Sequence, residues 1–393
     1  MIYLDHAATT GTKPLPVRQA VAHALTAFSA NPGRSGSGPS LRAAEMVYDC
    51  RKEAASFFGA PGPECVVFPL NCTMALNMVI KGILRLGDEA VCSDLEHNAV
   101  ARPLCTLQER GEITVRRFCV VPGDWERTLQ NLREALSEKT RLVVVTHASN
   151  VWGIRVPVER IGILCREYRI PLCIDAAQSA GVLPLSMEET GCDFLCAEGH
   201  KGLYGPMGTG LLLARNGEKL QTILEGGTGT DSRRLTQPEL MPERLESGTL
   251  NVPGISGLRA GMRWVRQQRG LLDREMGLCQ AAWDGLHRME GVRLYTPRPE
   301  TSWTAPVVSF NVGDLPSEQV GARLAEQGIL VRAGLHCAPW AHEKMGTLEQ
   351  GCVRISVSAL PAGRIWRHCS GPSGKFVQKT EKKPLHLARY MIQ

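Results

Sequence analysis

Along most of the chain, short apolar runs rich in β-branched residues alternate with longer stretches in which apolar positions recur at helical spacing. Segments 65–68, 90–92, 113–121, 142–146, 172–174 and 210–214 read as strands, with helical patterns between most of them. Strands that are apolar throughout are covered on both faces, and strands separated by helices pair in parallel. The pattern therefore predicts an α/β fold built on a parallel sheet. A long helical stretch from about 255 to 289, interrupted at Gly270, leads into a second unit. There, segments 292–295, 306–312, 329–332 and 352–357 read as strands and 317–327 as a helix, an α+β arrangement. From Pro361 onward Gly, Pro, Ser and Lys accumulate and no helical period can be followed, which predicts a poorly ordered tail.

A chain of 393 residues exceeds one ordinary core and suits a large domain with a smaller companion. Its formal charge is +6, from 45 Lys and Arg against 39 Asp and Glu. Seven basic residues and one acid lie beyond Leu360, which leaves 38 against 38 before it. The body is neutral, so no nucleic-acid partner is expected. Fourteen cysteines are scattered through apolar segments without a C-x-x-C pair. Buried, reduced thiols in the cytoplasm are expected, with neither a disulfide framework nor a metal site. The N-terminus, MIYLDHAATT, lacks the basic and apolar regions of a signal peptide, and no apolar run approaches bilayer length. A soluble intracellular protein with no membrane partner follows.

Four clusters carry candidate chemistry. An apolar strand ends in Asp175, and in an open parallel sheet that end faces the ligand crevice, where an acid can meet a cation. A helix cap or surface ion pair would use the same residue. Lys201 sits in a glycine-rich turn, GHKGLYGPMGTG at 199–210, where backbone approaches something closely. A desolvated lysine is what Schiff-base chemistry requires, although each glycine could serve a tight turn alone. Asn71, Cys72 and Thr73 open a helix whose first N–H groups and hydroxyl suit a phosphate, and an ordinary N-cap threonine explains the same letters. His97, in EHNAV after a strand, could stack on an aromatic ring or shuttle a proton; a lone surface histidine is the plainer alternative.

Taken together, YLDHAATT at the start, NPGRSG at 31–36, NCTMALN at 71–77, EHNAV at 96–100, SNVWG at 149–153, DAAQSAG at 175–181, GHKGLYGPMGTG, ESGTLN at 246–251, RAGLHCAP at 332–339 and VRIS at 353–356 resemble, in this order, the class V aminotransferase family. Within it, the resemblance is to the cysteine desulfurases and selenocysteine lyases. It implies the fold type I of pyridoxal 5′-phosphate (PLP) enzymes, an aspartate aminotransferase-like α/β architecture. It further implies an N-terminal segment, 1–15, packing with the small domain; a PLP-binding domain, 16–254; a connecting helical stretch, 255–290; a small domain, 291–360; and an atypical basic tail, 361–393.

By resemblance, Lys201 bonds to the cofactor, Asp175 pairs with its ring nitrogen, His97 stacks on the ring, and Asn150 and Gln178 touch its 3-oxygen. Cys72, Thr73 and His200 belong to the phosphate end, joined by Thr249 from a second subunit, since the family usually forms homodimers. Arg354 looks like the clamp on the substrate carboxylate, with Arg332, Asn31 and Asn150 as further substrate contacts. Cys337 matches the loop cysteine that takes sulfur from L-cysteine, and Arg332 and His336 beside it favour its thiolate. The implied products are alanine and a Cys337 persulfide for a sulfur-acceptor protein in iron–sulfur cluster assembly. Selenocysteine lyase, another PLP β-lyase, a transaminase and an inactive partner-binding homologue are the alternatives.

The resemblance has gaps. Glu198 stands where the family usually has Ser or Thr donating to the phosphate, so it turns away, is protonated, or weakens cofactor binding. Pro69 and Ser37 replace a small hydroxyl residue and a histidine. After VRIS the family continues into an amphipathic helix that this tail does not offer.

Overall fold

Valine, leucine and isoleucine fill the central strands of one sheet so completely that Leu142, Val143, Val144 and Val145 are all 0% exposed. In the computed structural model, residues 1–32 and 36–360 are described. Residues 33–35 of the NPGRSG motif and the tail predicted to be poorly ordered, 361–393, lie outside the described residues. The chain divides into two units: Lys13–Ser149 with Arg155–Arg269, and Met1–Thr12 with Asn150–Ile154 and everything described from Gly270 onward.

Strands are numbered in chain order, β1 (Ile2–Tyr3) belonging to the smaller unit. The larger unit holds β2 (Val66–Val67), β3 (Asp88–Ser93), β4 (Ile113–Phe118), β5 (Thr140–Thr146), β6 (Leu172–Asp175), β7 (Phe194–Glu198) and β8 (Gly210–Ala214). They form one sheet in the order β2-β8-β7-β6-β5-β3-β4. The five strands from β7 to β4 run parallel, as the alternation with helices predicts. The sheet is nonetheless mixed, because β8 is antiparallel to both β7 and β2. The connection from β7 to β8 contains no helix, and antiparallel neighbours need no crossover. β7 escaped the sequence reading because Phe-Leu-Cys-Ala-Glu has no β-branched residue, although all five are buried. Gly210 opens β8 so close to the loop after β2 that a Cβ would lie 2.5 Å from the Asn71 carbonyl carbon. Only glycine admits that approach.

In the smaller unit, β9 (Val292–Leu294), β10 (Val307–Val312), β12 (Arg332–Gly334) and β13 (Cys352–Ser356) form an antiparallel sheet in the order β12-β13-β10-β9. The predicted strand 329–332 is two strands, since β11 (Ile329–Leu330) pairs instead with β1, in parallel. The expected helical stretch is likewise two helices, Val252–Gln267 in the larger unit and Leu271–His287 in the smaller, with Gly270 between them at φ +63°. Phe310, Val308, Val353 and Ile355 pack with Cys279, Leu286, Val320 and Leu324 from the helices Leu271–His287 and Ser317–Glu326. Trp152 anchors the segment Asn150–Ile154 in this unit, its indole N–H donating to the Ala341 carbonyl at 2.9 Å.

Phe310 is 0% exposed at the centre of the smaller core. Phe310→Ala is expected to cost about 3–5 kcal/mol, measured as a lower denaturant midpoint with an unchanged slope.

Candidate active site

In the larger unit, parallel strands deliver their last residues to one edge of the sheet, where the following loops carry polar side chains. Asp175 ends β6 and is 3% exposed; its Oδ1 accepts the Ala177 N–H at 2.9 Å and lies 3.5 Å from the Cys72 Sγ. Gln178 follows in the next turn, half-buried. Lys201 is half-buried in the turn after β7, whose carbonyl accepts the Tyr204 N–H at 2.9 Å. Close packing dictates the glycines around it: a Cβ on Gly202 would lie 2.4 Å from the Ala180 carbonyl oxygen.

The helix Cys72–Ile83 is capped by Asn71, whose Oδ1 accepts the Met74 N–H at 2.8 Å, so Thr73 is not the cap. Thr73 is exposed in the first turn, and Cys72 is buried. The Cys72 N–H is taken by Oε2 of Glu198 at 3.1 Å. Burial pushes the Glu198 carboxyl up, Asp175 adds to this, and the Cys72 N–H and Lys201 oppose it. Burial also pushes the Cys72 thiol well above its ordinary range. His200 Nε2 lies 3.5 Å from Glu198 Oε1, yet the two are no ion pair, because burial with Lys201 and Lys13 pushes His200 down to about 4.

His97 caps the helix Asn98–Glu109, its Nδ1 accepting the Ala99 N–H at 3.0 Å, which leaves the proton of the neutral ring on Nε2. Thr249 is exposed and receives a hydrogen bond from Asn31 Nδ2 at 3.4 Å. The sequence reading missed Lys13, whose Nζ donates to the His200 carbonyl at 2.7 Å and which burial pushes down to about 8. Nothing in its local sequence, TKPLP, distinguishes it from a surface lysine.

The smaller unit carries the remaining residues. Cys337 is exposed in the turn between β12 and the helix Pro339–Met345, with Arg332 Nη2 3.9 Å from its Sγ. Cys337 and His336 adopt φ of +56° and +49°, left-handed backbone that costs a non-glycine residue about 1–3 kcal/mol. His336 does not support the thiolate by charge as expected. Its ring turns inward, 3% exposed, with Nε2 on the Cys352 carbonyl, and burial beside Arg354 holds it down at about 2. Arg354 is 1% exposed; Nη2 donates to Asp5 at 2.6 Å and Nη1 to the Asn150 carbonyl at 2.8 Å, while Nε has no partner. Asn150 Nδ2 donates to the His336 carbonyl at 2.7 Å and its Oδ1 is buried without a partner.

The family model for class V aminotransferases matches residues 2–360. The chain belongs to the class V aminotransferase family. It is similar to a probable cysteine desulfurase of Methanothermobacter thermautotrophicus, 34% identical over 91% of this chain and 90% of that protein. A cysteine desulfurase of Escherichia coli O157:H7 is 32% identical over 86% of this chain and 84% of its own. Among solved structures, the apo cysteine desulfurase from Thermococcus onnurineus aligns with a TM-score of 0.83 and 32% identity over 91% of this chain and 90% of that one.

Family members depend on PLP and share fold type I, the architecture described above. The larger unit of this aminotransferase-family chain fits that cofactor. A buried acid, Asp175, suits a protonated ring nitrogen; the Lys201 amine follows the neighbouring strand; and a helix N-terminus suits a phosphate. At that N-terminus Glu198 Oε1 is buried with no hydrogen-bond partner, the mark of a group awaiting a ligand's proton acceptor or donor.

Another acid at this edge sets a pH dependence of stability. Glu96 accepts the Thr146 N–H at 2.9 Å, its other oxygen is buried without a partner, and burial pushes it from 4.5 up to about 8. A carboxyl with a raised folded pKa stabilises the fold fully below its unfolded value and loses that contribution as pH rises. The Glu96 contribution to unfolding free energy is expected to decline between pH 4.5 and about 8, against the rise that the lowered His147, His200 and His336 give below pH 6.5, and it is read as the change with pH in the difference between wild type and Glu96→Gln in denaturant titrations.

Proposed function

We propose that this protein is a cysteine desulfurase that removes sulfur from L-cysteine, leaving L-alanine and a persulfide on Cys337. The observation that carries the reading is the placement of that thiol. Of the thirteen described cysteines only Cys119 and Cys337 are exposed, and Cys337 alone sits in a strained turn with a guanidinium 3.9 Å from its sulfur. The relatives named as cysteine desulfurases support the same activity.

Lys201 would hold the cofactor covalently until a substrate amine displaces it, Asp175 would keep the ring nitrogen protonated, and His97 would serve the ring face. Gln178 and Asn150 would serve its 3-oxygen, while Thr73 and His200 would serve its phosphate at the helix start that Cys72 opens, the Cys72 N–H itself being held by Glu198. Bound PLP supplies an electron sink for the substrate α-carbon. The Lys201 amine moves the proton at that carbon. Arg354, with its unpartnered Nε, orients the substrate carboxylate, and Asn31 and Asn150 add polar contacts. The Cys337 sulfur, with Arg332 Nη2 3.9 Å away, attacks the substrate sulfur as the nucleophile; an S–S bond forms as the Cβ–Sγ bond breaks, and protonation of the remaining carbon gives alanine.

Thr249 is exposed and serves the phosphate of a second subunit in a homodimer. The persulfide passes to an acceptor protein for iron–sulfur cluster assembly in the cytoplasm, a compartment that keeps these thiols reduced. No described helix is long and apolar enough to cross a membrane.

Purified protein reconstituted with PLP is expected to be yellow, and hydride reduction followed by peptide mass spectrometry to locate the adduct on Lys201. A colourless protein, or an adduct on Lys13, overturns the reading. Cys337→Ala is expected to keep the colour while alanine formation from cysteine drops by more than about a thousandfold. Retained sulfide release in that variant indicates a lyase that needs no protein thiol. Arg354→Lys keeps the charge but loses the fork, so KM for cysteine is expected to rise about ten- to a hundredfold with a smaller change in kcat.

A further inference from the structure

The helix N-terminus to which the preceding reading assigns the phosphate already has a carboxylate on it. Glu198 is 7% exposed at the end of β7, its Oε2 3.1 Å from the Cys72 N–H, while its Oε1 is buried with no hydrogen-bond partner. The charges facing it come from every element around it. Asp175, on β6, is a like charge; Lys201, on the loop after β7, is an opposite one. His200 is 3.5 Å away and neutral; Lys13, on the N-terminal side, is tied to the His200 carbonyl; and the Cys72 thiol, on the helix, is held protonated by burial. No full positive charge is hydrogen-bonded to this carboxyl among the described residues.

An ionised Glu198 would set one bare, buried oxygen against a phosphate dianion, two unfavourable arrangements at once. A protonated Glu198 removes both, because Oε2 still accepts the Cys72 N–H and the proton on Oε1 becomes a donor. We propose that Glu198 is a phosphate-anchoring residue that works as a carboxylic acid, holding the Cys72 N–H through Oε2 and donating a proton from Oε1 to the cofactor phosphate. The assignment rests on the PLP reading and gives the unusual residue the donor role that a hydroxyl would otherwise fill.

The sign of the pH effect follows. Where Glu198 is ionised in the cofactor-free protein, binding takes up a proton, and affinity falls as pH rises, by about tenfold per unit above the Glu198 pKa. Burial places that pKa above the ordinary carboxylate range. The phosphate itself titrates near pH ~6, but equally for every variant, so that contribution cancels in a comparison.

The test uses the cofactor-free full chain and pyridoxamine 5′-phosphate, which carries the phosphate but no aldehyde and so reports on binding without bonding to Lys201. Calorimetric titration from pH 6 to 9, in two non-phosphate buffers of different ionisation enthalpy, gives both Kd and the protons taken up. Glu198→Gln is the neutral isostere with an amide donor in the place of the acid proton, and Glu198→Thr supplies a hydroxyl should the Gln variant misfold. The expected result is that at the alkaline end the wild type takes up more protons than the variants, and that the advantage of Glu198→Gln over the wild type in affinity grows as pH rises, by up to about tenfold per unit. Equal proton uptake and equal pH slopes, with binding intact, overturn the assignment of Glu198 and leave the PLP reading standing. If folded wild type and variants bind neither pyridoxal nor pyridoxamine phosphate at any pH, the PLP reading falls and this assignment with it.

Discussion

Parallel strands end together, and at that edge of a sheet the backbone turns away while the next helix begins with donors that lack partners. In this chain β3, β5, β6 and β7 reach the edge with Ser93, Thr146, Asp175 and Glu198, and Glu96, His97, His147 and Lys201 follow within a few residues. Most of these side chains are buried, which makes charge expensive there. Burial answers by pushing Glu96 up to about 8, His147 down to about 3, and Glu198 upward. What charge remains has to be matched by a specific partner, and a doubly charged cofactor with a cationic ring nitrogen is such a partner.

The smaller unit solves a different problem, the positioning of a thiol and a guanidinium on short elements. Arg354 lies in the middle of β13, opposite Ser309 on one side and Arg332 on the other, so its direction is set by the sheet rather than by its own rotamers. Its Nη2 is held by Asp5 and its Nη1 by a carbonyl, which leaves the Nε edge for a ligand. In the proposed role, a substrate carboxylate would meet a guanidinium already partly neutralised, and affinity would come from geometry more than from net charge. The consecutive left-handed residues His336 and Cys337 push the thiol outward at a local backbone cost that the packing of the His336 ring helps to offset.

Much of this was legible in the amino-acid order. Strands made of Val, Leu and Ile announced themselves, Asp175 and Lys201 stood out as candidates from their local segments, and Cys337 from the family resemblance, before any geometry. What stayed hidden has physical reasons. β7 lacks β-branched residues, so its burial leaves no compositional trace; the antiparallel β8 follows from the absence of a helix in a loop whose glycines could equally mark tight turns. Lys13 acquires its lowered pKa only because the fold brings it to a residue 187 positions away. The inward turn of His336 depends on the carbonyl of Cys352, across the sheet, and no local pattern encodes that.

Two carboxyls near Cys72 illustrate how a single edge can ask opposite things of one chemical group. Asp175 meets the Cys72 thiol and sits where a ring cation would balance its charge; Glu198 meets the Cys72 N–H and sits where an anion would oppose its charge. Their coupling works in favour of this division, because a negative Asp175 raises the proton affinity of Glu198. Pairs of acids separated in this way commonly mark the proton-holding and charge-holding members of a site. On this argument the replacement of a hydroxyl by an acid at position 198 retains a donor for the phosphate, and its cost is that the donor is lost by ionisation, which no serine or threonine undergoes near neutral pH.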